Sequence, residues 1–101
     1  MIDPMEEIYK LRQAIDQIDS KLLKLLNDRS TLALKIGEIK KIHKIPVYDP
    51  EREKQILERL ISENAGPLDK HAVIRLFERI IDEARSLERI KAKESTIKNS
   101  P

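Results

Sequence analysis

The sequence predicts an all-α fold: a three-helix subunit with one very long N-terminal helix, paired with a second copy as an intertwined helical homodimer. Apolar residues recur at steps of three and four along almost the whole chain, the spacing of one helix face. Two Asp-Pro starts and two proline-marked breaks divide that pattern into three helices. Composition agrees: of 101 residues 38% are charged, 3% are aromatic and none is Cys, which argues against a β-sandwich or a disulfide scaffold.

The first helix opens at Asp3-Pro4-Met5-Glu6, with an Asp cap, Pro in the first helical position and an acid in the first turn. Its seam is Ile8, Leu11, Ile15, Ile18, Leu22, Leu25, Leu32, Ile36 and Ile39, the alternation of a helix packed on other helices. Ile45 precedes Pro46 and is pushed out of the helical region, so the helix ends near residues 42–44. Nearly forty residues make a rod of roughly 55–60 Å, whereas a compact domain of this size has a radius of gyration of about 13 Å. Two shorter helices cannot cover such a seam. A second copy is expected to cover the rest.

Asp49-Pro50-Glu51 repeats the start signal, and Ile56, Leu57, Leu60 and Ile61 form one face of a second helix. Asn64-Ala65-Gly66-Pro67 ends it, with Gly66 suited to a left-handed position. A third helix runs from about Asp69 to about Lys91 through Val73, Leu76, Phe77, Ile80, Ile81, Ala84 and Leu87. Beyond it Ile97 is the one apolar residue of note, so residues 1–93 read as one domain and 94–101 as a frayed tail or linker.

Several function classes drop out. The net charge of +2 is nearly balanced, unlike the basic face of a nucleic-acid binder. No apolar run reaches the roughly 18–20 residues of a membrane span, and no basic-then-apolar leader opens the chain. A soluble, cytoplasmic protein is expected. His43 and His71 lie far apart without a neighbouring ligand, and with no Cys available a metal site is not expected.

The informative residues are those that interrupt the seam. Four beyond Leu25 stands Arg29, and four beyond Ile36 stands Lys40. Stepping back from Ile56 reaches Glu53 and Arg52; stepping on from Ala84 reaches Glu88; Arg12 borders the seam beside Leu11. Lone buried charges are costly. These six either pair with one another to fix register, or converge on a small dianionic ligand held between helices. Four cations against two acids leave room for an anion, which favours the second reading.

The run Leu11-Arg12, Ile15, Ile18-Asp19, Lys21-Leu22-Leu23, Leu25-Leu26 and Asp28-Arg29 resembles the all-helical chorismate mutases. So do Leu32-Ala33, Gly37, Lys40, Pro46-Val47, Asp49, Arg52-Glu53, Leu57-Glu58-Arg59-Leu60-Ile61, Arg75-Leu76-Phe77, Ile80-Ile81 and Leu87-Glu88. The likeness covers about residues 8–90. It implies an intertwined dimer of three-helix subunits that converts chorismate to prephenate, the branch towards phenylalanine and tyrosine. That reaction is an intramolecular Claisen rearrangement needing no cofactor, metal or covalent intermediate.

Position by position, the resemblance implies that Arg29 binds a substrate carboxylate and that Arg12 enters the site from the other subunit. It makes Lys40 the contact to a carboxylate and the ether oxygen, and Glu53 the acceptor from the ring hydroxyl, with Arg52 beside it. Asp49 is a site-adjacent acid, and equally the cap of helix two. Ala84 stands where the family often has Ser, and Glu88 where many members have Gln. A carboxylate facing the ether oxygen would repel the developing charge and a carboxylic acid could donate to it. Burial raises the Glu88 pKa and Lys40 lowers it, and activity is expected to decline as pH rises through that pKa. Lys40, Glu88 and Arg29 are therefore the expected catalytic residues. An isochorismate-pyruvate lyase of the same fold is the alternative enzyme, and a non-catalytic helical dimerisation module the alternative outside catalysis.

Overall fold

A computed structural model describes residues 3–98 as three helices, with no strand among them: α1 (Pro4–Ile42), α2 (Pro50–Glu63) and α3 (Lys70–Lys98). An aspartate starts each helix by accepting from a backbone N–H that has no partner within the helix. Asp3 Oδ1 accepts from Met5 at 3.0 Å, Asp49 Oδ1 from Arg52 at 3.1 Å and Asp69 Oδ1 from Ala72 at 2.8 Å. Prolines occupy the first turns of α1 and α2, where no N–H is needed.

The end of α1 matters for the site. The Ile45 N–H reaches Lys40 O at 2.8 Å and the Lys44 N–H reaches Lys41 O at 3.3 Å, the paired bonds of a Schellman cap. Lys44 takes the left-handed conformation this cap needs, with φ 56°. The cap reverses the chain, so that Val47 O comes back to accept from Lys40 Nζ at 3.3 Å. Gly66 likewise has a positive φ of 82° in the α2–α3 turn, where a residue without Cβ avoids a steric cost.

Among the described residues α3 packs against both α1 and α2, while α1 and α2 do not meet. The result is a slab of 70 × 33 × 15 Å with a radius of gyration of 18.7 Å. Among the described residues its buried apolar core is Ile56, Val73 and Ala84. The α1 seam stays open to solvent, with Leu11 65%, Ile18 61% and Leu25 64% exposed. No helix among the described residues is long and apolar enough to cross a membrane.

The end of α3 departs from the sequence reading. Residues 92–98 continue the helix to Lys98, beyond the end near Lys91 that the sequence suggests. The apolar stripe stops there, yet no Gly or Pro interrupts residues 91–98, and Lys91 Nζ pairs with Glu94 Oε2 at 3.3 Å. Lys91, Ala92, Lys93 and Glu94 are good helix formers and carry the backbone past the stripe. The rest of the expected tail, residues 99–101, lies outside the described residues.

Candidate active site

The two contacts of α3 enclose a cavity of about 320 Å³. From α1 come Arg29, Leu32, Ala33, Ile36 and Lys40, one stripe read at steps of three and four. Val47 and Asp49 enter from the loop that the α1 cap turns back, and Arg52, Glu53 and Ile56 from the first two turns of α2. Ile81, Ala84, Arg85 and Glu88 complete it from α3. Apolar walls carrying a few convergent charges are the usual make-up of a small-molecule site.

Seven of the eight site residues read from the sequence line this cavity. Arg12 does not: it is exposed on α1, about 25 Å along the helix from Arg29 by the helical rise. Asp49 has both of its expected places, capping α2 while lining the cavity. Arg85 was missed. Its signal was faint: it follows Ala84, away from the seam, and its contacts come from Glu53 and Tyr48 on other elements.

The cavity charges do not neutralise one another. Arg29 is half-buried and makes no ion pair among the described residues. Arg52 is likewise without a carboxylate, and Lys40 spends its ammonium on the neutral carbonyl of Val47. The one ion pair among the lining residues is Arg85 with Glu53. An internal network that satisfies every charge, the alternative the sequence left open, is therefore not what these side chains form.

Glu88 is the other unsatisfied group. Its Oε2 is buried with no hydrogen-bond partner. Burial pushes its carboxyl above the usual carboxylate range, against the opposing pull of Lys40 and Arg85. Gly37 makes its place on α1: a Cβ there would stand 3.1 Å from Glu88 Cγ, closer than ordinary contact. What the arrangement offers is two guanidiniums unpaired among the described residues, an ammonium, and a carboxyl that burial shifts upward, around a space for a small anion.

The family described as chorismate mutase type II matches residues 11–89. This chain belongs to that family. The match runs from just before Arg12 to just past Glu88, so it takes in every candidate residue. The chorismate mutase of Methanocaldococcus jannaschii is 37% identical, over 94% of this chain and 97% of its own. The bifunctional chorismate mutase/prephenate dehydratase of Aquifex aeolicus is 40% identical over 84% of this chain, and the chain spans 25% of that relative's length. Among solved structures, the chorismate mutase of Helicobacter pylori in complex with prephenate superposes with a TM-score of 0.83 at 31% identity, covering 88% of this chain and 97% of that one.

Proposed function

We propose that the protein is a chorismate mutase, converting chorismate to prephenate by an intramolecular Claisen rearrangement. The observation that carries this reading is the cavity itself: Arg29, Arg52 and Lys40 converge there without carboxylate partners, beside a Glu88 held towards its protonated form. Chorismate is a dianion that must fold before it reacts. Clamping both carboxylates restrains the folded conformer and removes an entropic part of the barrier. As the ether C–O bond breaks and the new C–C bond forms, negative charge grows on the ether oxygen. Lys40 and protonated Glu88 are suited to meet that charge, each such donor lowering the barrier by about 3 kcal/mol. Glu53 accepts from the ring hydroxyl, Arg52 lines the same wall, and Asp49 and Ala84 border the substrate. Every atom of substrate stays in product, so no nucleophile is required. The relatives named for prephenate dehydratase support a place in aromatic amino acid biosynthesis, and a chain without Cys suits the reducing cytoplasm.

The working unit in this reading is a homodimer. The exposed α1 seam, the 15 Å thickness of the single chain and the three-residue core all support a second copy crossing on α1. Each seam side chain removed from water contributes roughly 1.5–3 kcal/mol. The crossing also gives Arg12 a use, as the second carboxylate clamp supplied to the other copy's cavity. Sedimentation at micromolar concentration is expected to give a dimer, and Ile18→Lys to give a monomer or an unfolded chain. A folded wild-type monomer would overturn the assembly.

The reaction is tested by following the loss of chorismate absorbance. Prephenate formation well above the uncatalysed rate is expected. A folded protein inert towards chorismate but active on isochorismate would replace the mutase with the lyase; inertness towards both would leave the helical module.

A further inference from the structure

Arg85 is unexplained by the roles above. Its guanidinium donates from Nη2 to Glu53 Oε1 on α2 and to Asp82 Oδ1 at 3.3 Å on its own helix. The same guanidinium lies 5.3 Å from the centre of the Tyr48 ring, in the loop before α2. Every other ion pair among the described residues joins side chains three or four apart on one helix. Arg85 with Glu53 alone bridges two elements, at side-chain exposures of 21% and 29%. Exposed pairs are screened and contribute little; a half-desolvated pair that also stacks on an aromatic ring is worth more. Among the described residues α1 and α2 do not pack on each other, and α3 is the helix that anchors the start of α2.

We infer that Arg85 is a positioning residue, which clasps Tyr48 and Glu53 to α3 and thereby sets the Glu53 carboxylate for the substrate's ring hydroxyl. The inference rests on the proposed mutase reaction. With Oε1 taken by Arg85, Glu53 presents Oε2, which has no hydrogen bond among the described residues. A carboxylate already fixed in rotation does not have to be ordered when substrate arrives. The ring hydroxyl sits on the carbon next to the breaking C–O bond but keeps its own bonds and stays uncharged through the rearrangement. The contact therefore binds ground and transition states alike, and its loss is read in KM more than in kcat.

The test compares the parent enzyme with Arg85→Ala, Arg85→Lys, Glu53→Ala and the Arg85→Ala/Glu53→Ala double variant. Kinetics are taken on the acid side of the pH profile, where Glu88 is protonated throughout. Arg85→Ala is expected to raise KM about tenfold with kcat within about twofold. Arg85→Lys keeps the charge but loses the fork and the stack, and falls between. The double variant is expected to match Glu53→Ala within about twofold, because Arg85 acts through Glu53. Amide hydrogen exchange over residues 47–53 should quicken in Arg85→Ala without ligand, a readout that needs no turnover. A KM and an exchange pattern equal to the parent's would overturn the inference, as would losses that multiply in the double variant. If Arg85→Ala fails to fold, Arg85→Lys carries the same comparisons. A parent inert towards chorismate would refute the reaction instead, and the exchange result would still decide the clasp.

Discussion

Arg29→Ala is expected to lower kcat/KM for chorismate by about 10²–10⁴-fold, from two charge-assisted bonds each worth roughly 1.5–3 kcal/mol. The helical fold should survive, because among the described residues Arg29 makes no ion pair whose loss would strand a buried acid. Arg29→Leu separates a binding site from a register device. The leucine continues the apolar face on which Leu32 and Ile36 already line the cavity, and it removes a half-buried charge that nothing compensates. Unfolding at matched protein concentration is expected to show stabilisation by about 1 kcal/mol, while turnover disappears. In a helical module whose arginine only sets register, the same change would stabilise without cost to any ligand. Turnover within about threefold of the parent in Arg29→Leu would remove Arg29 from the site and with it the carboxylate clamp.

The stripe that holds Arg29 and Lys40 was legible because it follows from the helical repeat alone. Steps of three and four place residues 29, 32, 36 and 40 on one face whatever packs against it. Asp3 and Asp49 were legible as helix starts for a similar reason, since a cap acts within three residues of itself. Arg85 was not, because its meaning lies in Glu53, thirty-two positions away, and in Tyr48, on a different element. Periodicity assigns faces; it does not pair a side chain with another element. Gly37 was visible only as part of a family pattern, and its physical sense needed Glu88 to be seen 3.1 Å from where a Cβ would stand. The C-terminal end of α3 went astray in the opposite way: the apolar stripe was taken as the helix, whereas the backbone stays helical to Lys98.

Glu88→Gln is expected to abolish the pH dependence of turnover. Two carboxyl states make opposite contributions at the ether oxygen. The acid donates an O–H to the charge that develops there; the carboxylate repels it, and losing one such donor costs about 10²-fold. Burial raises the Glu88 pKa, with Lys40 and Arg85 opposing, so the acid persists above the pH at which an exposed glutamate ionises. Parent activity is therefore high at low pH and falls as pH rises through that raised pKa. Stability moves with the same sign: the folded state holds the proton more tightly than the unfolded chain, so the contribution of Glu88 is lost over the interval between the two pKa values. A fall in rate could then be confused with unfolding, which Gln distinguishes. It donates from its amide at every pH, fills nearly the same space beside Gly37, and carries no titrating proton. The variant should match the parent within a few-fold at low pH and exceed it at high pH, with helicity measured alongside in both. A parent profile flat from pH 5 to pH 9 would mean that Glu88 does not face the developing charge, and would leave Lys40 as its sole partner.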